Sequence, residues 1–357
     1  MENRLTVTAS PHIQDRSSTR GLMGSVVVAL LPCVAASALI FGWRALLVVG
    51  ITTLTAVQVF LNIAVVTNLI PTTVGFEYLY CLLMKKPIPV GDLSAVVTGI
   101  ILGLNMPVGI PLWIAIIGAF IAIVIAKQLF GGIGFNFANP ALVGRIVLFT
   151  GFAGSMTKWV YPTKAVLAFR KLGIDAAAGA TPLQVADGSG ASLLGKYPLT
   201  DLFLGVHGGV LGETCALAIL LGFAWLVASR TISPSIPLTY VGSYAVFSLL
   251  YHLFADGGMA AGDAAMLVLH EVLAGGLLFG AVFMATDYVP SPFTLKGKLI
   301  FGVGLGLMTF GIRTFANMPE GVSYAILFMN LLVPYLNDLT RQKPLGAGKK
   351  KKGAHAA

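Results

Sequence analysis

Charged side chains are scarce in this chain. Of 357 residues only 10% are Asp, Glu, Lys or Arg, whereas 57% are hydrophobic, and the mean hydropathy is +0.88. A soluble domain typically carries about 25% charged residues. The composition therefore predicts an all-α polytopic membrane protein rather than a soluble enzyme. We expect no cleavable signal peptide, because the first twenty residues are charged and the apolar run after them is long enough to span.

Cysteine is nearly absent as well. The chain has three cysteines, Cys33, Cys81 and Cys215, and they are far apart in the sequence. No CxxC or Cys/His spacing appears, so we expect neither a zinc site nor a cysteine-ligated iron–sulfur cluster, and no metal site of this chain's own. Nor do the five histidines form a Ser/His/Asp or Cys/His arrangement, and we do not expect ordinary hydrolysis.

The net charge of +9 does not indicate a nucleic-acid partner. Four consecutive lysines, residues 349–352, form a tail directly after an apolar segment. Basic residues in that position are typical of the cytoplasmic side of a membrane protein. The partner that this charge predicts is the lipid bilayer.

Long uncharged runs predict about ten membrane-spanning helices in two five-helix halves. A span needs roughly 20 apolar residues. The predicted regions are a cytoplasmic arm (1–21), a first half (22–157), an outer loop (158–201), a second half (202–338) and a basic cytoplasmic tail (339–357). The predicted spans are residues 22–42, 45–68, 88–105, 110–127, 139–157, 202–229, 238–255, 264–286, 298–315 and 321–338.

Basic residues predict the orientation. If the N-terminus is cytoplasmic, most lysines and arginines fall on the cytoplasmic side, among them Lys127 and Arg145. The positive-inside rule then places both termini on the cytoplasmic side and the loop 158–201 on the outer face of the membrane.

The two halves resemble each other weakly. The segment IAIIGAFIAIVIAKQLFGGIGFNFANPALVGRIVL in the first half and IFGVGLGLMTFGIRTFANMPEGVSYAILFMNLL in the second follow the same order. Each has a Gly-rich helix, one basic residue (Lys127 or Arg313), a turn and an apolar helix. Five spans per half would make the repeats inverted, as in many transporters.

Four ionisable residues inside predicted spans are candidates for an ion path: Asp92, Glu213, His270 and Glu271. Such groups are costly in a membrane and are often functional. Hydrogen bonding within the bundle is the alternative for each, and Asp92 also suits the N-terminus of a helix. The turn FGGIGFNFANPA is rich enough in glycine to line a cavity at membrane depth, although a tight turn between helices explains it equally well.

Residues 175–181 read DAAAGAT, in the longest polar interruption of the chain. The pattern resembles the flavinylation signature D-x-x-[S/T]-G-A-T, in which a flavin transferase esterifies the last threonine with the phosphate of FMN. The blocks GDLSAVVTGIILGLNMP, KQLFGGIGFNFANPAL, DLFLGVHGGVLGETCALAILLG and LLFGAVFMATDYVPSPFTLKGK are similar to the membrane D subunits of the Rnf electron-transport complexes. That family is related to the B subunits of the sodium-translocating NADH:quinone reductases.

The resemblance implies a covalent FMN on Thr181, with Asp175, Gly179 and Ala180 as the rest of the signature. Ala178 stands where the family has Ser or Thr, which leaves the acceptor hydroxyl intact. Small neighbours and an exposed loop would give the transferase access, and Pro182 fixes the chain that follows. A second, non-covalent flavin such as riboflavin is also compatible with the resemblance, without assigned residues.

The implied function is that of a membrane component, inactive alone, of an ion-pumping ferredoxin:NAD oxidoreductase that moves Na+ or H+. The implied partners are the A, B, C, E and G subunits of the Rnf complex, which would hold the ferredoxin and NAD sites, and the maturing flavin transferase. The alternative is a channel or secondary transporter of similar inverted-repeat architecture without a redox cofactor. A flavinylation signature distinguishes the two, since a transporter has no use for it.

Overall fold

The computed structural model describes residues 18–53, 72–86, 90–160, 182–185, 197–254, 259–316 and 321–342. Within these ranges the regular structure is helical and no β-strand is present. The helices of the first half are α1 Thr19–Phe41, α2 Trp43–Thr53, α3 Thr72–Leu83, α4 Ser94–Leu104, α5 Leu112–Gln128 and α6 Pro140–Gly151.

The second half begins with the short helices Pro182–Val185 and Leu199–Leu204. Its longer helices are α7 Ala216–Ala228, α8 Ser235–Phe254, α9 Ala261–Leu273, α10 Leu277–Met284, α11 Leu295–Phe315 and α12 Gly321–Leu339. The second part of α5, Ile121–Gln128, and most of α10, Gly280–Met284, are π-helical. Such widened turns are rare and often occur at functional sites.

Three described helices, α1, α11 and α12, are long and apolar enough to cross a membrane. The bent pair α9 and α10 makes a fourth if it is counted as one span. Large apolar side chains such as Leu31, Trp113, Leu221 and Leu307 are more than half exposed on the outside of the bundle, which suits a lipid environment.

Several predicted spans differ from the helices observed. The segment 88–105 contains only α4, whose 11 residues extend about 16 Å, about half of a bilayer core. The predicted span 202–229 is interrupted between Leu204 and Ala216, and 264–286 is interrupted after Leu273, where the two parts form an angle of 63°. Helix α3 lies where the sequence predicted a connection. Hydropathy reports composition, not the path of the chain, so it does not detect such breaks.

Side-chain caps and small residues explain much of the local geometry. The Asn139 side chain accepts from the backbone N–H groups of Ala141 and Leu142, and Pro140 occupies the first turn of α6. Helices α8 and α11 pack closely because Gly302 and Gly306 face Thr239 and Ser243, the small-residue packing typical of membrane helices.

One hydrophobic core joins the two halves. The same buried cluster contains Leu102 of α4, Phe279 of α10, Leu305 of α11 and Leu211, which lies in the non-helical segment between Leu204 and Ala216. This non-helical segment therefore lies in the interior of the bundle and not on its surface.

Candidate functional site

Three non-helical segments meet in the interior of the bundle: residues 105–111, 205–215 and 274–276. The backbone N–H of Gly212 donates to the Leu104 carbonyl at 2.7 Å, and that of Leu211 donates to the Met106 carbonyl at 3.2 Å. Non-helical backbone at membrane depth is tolerated only where protein or water satisfies its polar groups. These two hydrogen bonds between the halves satisfy some of the backbone polar groups of the non-helical segments.

Glu213 lies in this interior region and is 6% exposed. Its Oε1 accepts from the backbone N–H of Val210 at 3.2 Å. A methyl group at Gly276 would lie 2.5 Å from Glu213 Oε2, so glycine is required for the carboxylate to lie this close to the bend between α9 and α10. Glu213, one of the candidates from the sequence, is therefore a buried carboxylate beside the bend between α9 and α10.

Glu271 is held by three side chains of α8. Its carboxylate accepts from Ser248 Oγ at 2.5 Å and Tyr244 Oη at 3.1 Å, and His252 Nε2 lies 2.9 Å from the other oxygen. Hydrogen bonds to an ionised acceptor are roughly twice as strong as neutral ones. These three contacts fix the orientation of the carboxylate toward α8.

Arg313 of α11 lies beside this group but does not pair with the Glu271 carboxylate. Its Nη1 donates to Tyr244 Oη at 3.2 Å and to the Glu271 backbone carbonyl at 3.3 Å, and its guanidinium lies 5.1 Å from the centre of the Tyr244 ring. Arg313 Nε and Nη2 are buried and have no hydrogen-bond partner. We name Tyr244, Ser248, His252, Glu271 and Arg313 the Arg313 cluster.

His270 points away from its neighbour Glu271. Its Nδ1 lies 2.8 Å from the Met266 carbonyl, and its Nε2 lies 3.0 Å from the Tyr197 carbonyl. The ring thereby connects α9 to the chain that enters the second half. Both contacts suit a structural role, and His270 is separate from the Glu271 carboxylate.

Asp92 lies in a different part of the molecule, two residues before the start of α4 at Ser94. Its Oδ1 accepts from the Ser94 backbone N–H at 2.8 Å and from Ser94 Oγ at 2.6 Å. The geometry agrees with the alternative given for this residue, a carboxylate at a helix N-terminus.

Ser94 connects Asp92 to an ion pair that the sequence did not predict. Lys127 Nζ, at the end of α5, donates to Ser94 Oγ at 2.6 Å and to Glu77 Oε1 at 2.7 Å, and Gln128 Nε2 donates to the same Oε1 at 2.6 Å. Lys127 and Glu77 are 2% and 0% exposed. We name Glu77, Ser94, Lys127 and Gln128 the Lys127 cluster.

Lys127 and Arg145 were counted as cytoplasmic in the orientation prediction, but both are buried. Arg145 Nη1 donates to Asn105 Oδ1 and Ser323 Oγ, each at 3.0 Å. Charges that protein surrounds in this way are weak orientation signals.

A cavity of about 250 Å³ lies beside the Lys127 cluster. Its walls are mainly apolar, from α1, α4, α7 and α10, and its polar lining comes from Ser94, Lys127, Asn136, Asn139 and Asp287. The Gly-rich turn forms one wall, as its composition allowed, with Gly131, Gly132 and Gly134 at φ values of 120°, 92° and 91°. Asn136 Oδ1 is buried without a partner. Burial raises the pKa of Asp287, which follows α10, to about 6.

Of the flavinylation residues only Pro182 is described; Asp175, Ala178, Gly179, Ala180 and Thr181 lie outside the described residues. Pro182 is buried and begins the short helix Pro182–Val185. Leu183 packs against a small cluster formed by Tyr197, Leu202, Leu267 and Ala274. The chain is therefore anchored immediately after the proposed acceptor threonine.

No group of three or more His, Cys, Asp or Glu side chains that could hold a metal ion is found among the described residues. Cys33, Cys81 and Cys215 carry free thiols.

Comparison with known proteins fixes the family. The family model described as "NQR2, RnfD, RnfE family" matches residues 6–346. The chain belongs to this family. Together with the apolar helices, membership identifies the chain as an integral membrane protein.

Three members of the family are similar to the chain over nearly its whole length. The D subunit of the Na(+)-translocating ferredoxin:NAD(+) oxidoreductase complex of Acetobacterium woodii is 38% identical, over 99% of each chain. The D subunit of the proton-translocating ferredoxin:NAD(+) oxidoreductase complex of Clostridium ljungdahlii is 36% identical over 97% of each. The D subunit of the ion-translocating oxidoreductase complex of Vibrio atlanticus is 34% identical over 95% of this chain and 99% of its own.

Proposed function

We propose that this chain is the D subunit of a membrane complex that couples electron transfer between ferredoxin and NAD to ion translocation, and that it carries a covalent FMN on Thr181. The observation that carries the proposal is full-length similarity to three relatives, each of which is named as the D subunit of an ion-translocating oxidoreductase complex. A relative named for Na+ and one named for protons are about equally similar, at 38% and 36% identity. Overall sequence identity therefore does not indicate whether the complex moves Na+ or protons.

The assembly proposed for this complex follows from the resemblance to the Rnf D subunits. The A, B, C, E and G subunits would hold the ferredoxin and NAD sites, and a flavin transferase would load Thr181 during maturation. The membrane would be a bacterial inner membrane with both termini cytoplasmic and loop 158–201 outside. Ten spans in two inverted halves remain the architecture that we propose, with α4, α7 and the bent pair α9–α10 as its broken members.

The residues around the acceptor fit a covalently attached flavin. A transferase must reach the Thr181 hydroxyl, and residues 176–180 are only alanine and glycine. Pro182 and Leu183 fix the chain on the far side of the acceptor. When bound, FMN supplies one- and two-electron transfer, which no side chain of this protein performs. The protein contributes the position of the flavin and the charge around it.

The cavity beside the Lys127 cluster fits the second, non-covalent flavin that the family allows. Ligand pockets are mainly apolar with a few polar groups, and about 300 Å³ is the usual lower size; this cavity, at about 250 Å³, is near that limit and continues to an opening. The unpartnered Asn136 Oδ1 could accept from a ring N–H of an isoalloxazine, and Lys127 could donate to a carbonyl of the same ring.

The carboxylates near the broken helices are the proposed ion path. Glu213, which is buried, and Glu271, which is partly buried, place two carboxylates near the bend between α9 and α10. Replacement of either by glutamine should lower ion transport in membranes and leave the covalent flavin in place. Transport at wild-type rates in both variants would make these carboxylates structural.

A denaturing gel tests the covalent flavin. The chain from native membranes should give a flavin fluorescence band at its own mass. The band should disappear in Thr181→Val, because valine has no hydroxyl, and return in the matched Thr181→Ser variant. A fluorescent band that persists in Thr181→Val would place the flavin elsewhere.

The broken helices that meet in the interior also occur in secondary transporters. A channel or transporter without a redox cofactor is therefore the second candidate. It predicts ion flux through vesicles that contain the complex without any electron donor, and no fluorescent band from the wild-type chain.

A further inference from the structure

Polar side chains occupy every fourth position along one buried face of α8. Tyr240, Tyr244, Ser248 and His252 are all buried, and residues four apart lie on the same side of an α-helix. Since a helix rises about 1.5 Å per residue, these side chains extend over about 18 Å, more than half of the hydrocarbon core of a bilayer. We name these four residues the α8 stripe. Polar groups at this depth are costly and often functional.

Glu271 of α9 contacts three of the four members of the α8 stripe. Ser248 Oγ and Tyr244 Oη donate to its Oε2, and His252 Nε2 lies 2.9 Å from its Oε1. Each of these groups carries exchangeable protons, and chains of carboxylates and imidazoles are typical proton relays in membrane pumps. A hard metal cation needs several oxygen ligands, whereas both Glu271 oxygens already have hydrogen-bonding partners. The arrangement therefore suits a proton better than a sodium ion.

His252 lies at the end of the α8 stripe that is nearest to solvent. Helix α8 ends two residues later at Phe254, and Asp263 in the first turn of the neighbouring helix α9 is exposed. The side chains of His252 and Glu271 are 10% and 15% exposed, whereas Tyr240 at the opposite end of the stripe is fully enclosed. Imidazole is the side chain whose charge ordinarily changes between about pH 5 and 8. His252 can therefore take up a proton from water and present it to Glu271.

Arg313 of α11 is the permanent charge that faces the His252–Glu271 pair. It donates to Tyr244 Oη and to the Glu271 backbone carbonyl. Within α8 the other titratable neighbours are Tyr244 and Tyr251, and the Tyr251 ring centre lies 5.7 Å from that of His252. Helix α10 also packs on α8, but its sequence LLFGAVFM contains no titratable group. The charge of Arg313 favours the ionised carboxylate, so Glu271 can release a proton as well as take one.

We propose that His252 exchanges protons between the aqueous phase at the ends of α8 and α9 and the Glu271 carboxylate. The inference rests on the proposed function, which supplies electron-driven ion movement, and it assigns the proton as the ion that uses this part of the chain. In the transfer, the N–H bond at Nε2 of the charged imidazole breaks and an O–H bond forms at Glu271 Oε1. The imidazole becomes neutral and is charged again by a proton from water. The reverse transfer returns the proton to the same aqueous phase.

The whole complex reconstituted in vesicles tests this role. Reduced ferredoxin and NAD drive the complex, a pH-sensitive dye in the lumen reports protons, and radioactive sodium reports Na+. His252→Gln keeps an N–H donor for Glu271 but cannot carry a charge. We expect proton movement to fall at least about tenfold, as for the loss of a positioned proton-transfer group.

Ser243→Ala is the matched control on the same helix. Ser243 Oγ donates to the Tyr240 and Gly302 carbonyls, on the side of α8 that packs against α11. Its removal changes a buried polar side chain of α8 without touching the His252–Glu271 pair. Proton movement in this variant should equal that of the wild type, and a native gel should show that each variant complex is assembled.

The pH profile separates proton transfer from a structural role. Between about pH 5 and 8 the wild-type rate of proton movement should depend on the charge of His252, and His252→Gln should lose this dependence. A variant that only weakened the packing of α8 would lower the rate without changing the shape of the profile. His252→Ala provides a second measurement, since free imidazole should restore proton movement to it. Imidazole should not restore Glu271→Gln, which lacks the proton acceptor.

The outcomes separate this inference from the function on which it rests. A wild-type complex that moves no ion in response to electron transfer contradicts the proposed function. A wild-type complex that moves sodium ions but no protons overturns the inference alone. An assembled His252→Gln complex with the wild-type rate and pH profile also overturns it, as does an assembled His252→Ala complex that imidazole does not restore.

Discussion

Each half of the molecule places a cation near the end of a long helix, Lys127 in the first half and Arg313 in the second, but the two cations have different partners. In the Lys127 cluster, Nζ of the lysine contacts the Glu77 carboxylate at 2.7 Å. In the Arg313 cluster, α8 satisfies the carboxylate, and the arginine donates to the Tyr244 hydroxyl and to the backbone carbonyl of Glu271. Each cluster leaves buried polar atoms without a partner: Glu77 Oε2 in the first, and Arg313 Nε and Nη2 in the second. The first cluster thus pairs its two charges directly, whereas the second holds its carboxylate and its guanidinium through the shared Tyr244 hydroxyl.

The largest effect is expected from breaking the ion pair of the Lys127 cluster. Lys127→Met should leave the fully buried Glu77 carboxylate without its cation, at a cost of about 3–5 kcal/mol, and the folded yield in membranes should fall sharply. The double variant Lys127→Met with Glu77→Gln should recover most of the yield, because no buried charge remains. A single variant as stable as wild type would contradict the ion pair.

A smaller loss of stability is expected from separating α8 and α11 beside the Arg313 cluster. In Gly306→Ala the new methyl group would overlap the Ser243 hydroxyl and lie 2.7 Å from the Tyr244 backbone nitrogen. Overpacking of this kind costs about 1–3 kcal/mol, and the thermal midpoint of the complex should fall. Gly311→Ala in the same helix is the control, since nothing lies within 4 Å of its new methyl group.

Removing one donor to Glu271 should have an effect of similar size. His252→Ala leaves Tyr244 and Ser248 in place, so the loss should be about 1.5–3 kcal/mol, the usual range for a hydrogen bond to a charged group. The midpoint temperature of thermal unfolding of the complex measures this loss of stability. If the two clusters differ as described, this loss should remain below that of Lys127→Met.

A further effect, which depends on pH, concerns Asp287 beside the Lys127 cluster. Burial raises the pKa of its carboxyl to about 6, so the folded state binds the proton more tightly than the unfolded chain does. Stability should therefore decline as the pH rises from about 4 to about 6, and Asp287→Asn should lose this decline. Midpoint temperatures of the two proteins between pH 4 and 8 measure it; parallel curves would contradict the raised pKa.

The sequence predicted part of this arrangement. Glu213 and Glu271 stood out as acidic residues in apolar runs; Glu213 is buried and Glu271 is partly buried. Glu77 was missed because α3 is short and lies next to Lys85 and Lys86, so its segment was interpreted as a connection. Arg313 was noted only as a marker of the repeat, since the sequence cannot show which of its nitrogens find partners.

The breaks in the helices were also missed. Residues 205–215, GVHGGVLGETC, are apolar and Gly-rich, and their composition fits a continuous span as well as it fits an interior loop. What distinguishes the two is the pair of hydrogen bonds from Leu211 and Gly212 to the first half. Such contacts between distant segments depend on the packed bundle and cannot be read from local composition.

The bend at residues 274–276 has a mechanical consequence. Leu183 touches one side of it at Gly275, and the Glu213 carboxylate touches the other at Gly276. Any rotation of α9 against α10 would therefore displace Leu183 and a buried carboxylate in a single movement. Gly275 and Gly276 link the two, because each lies against one of them.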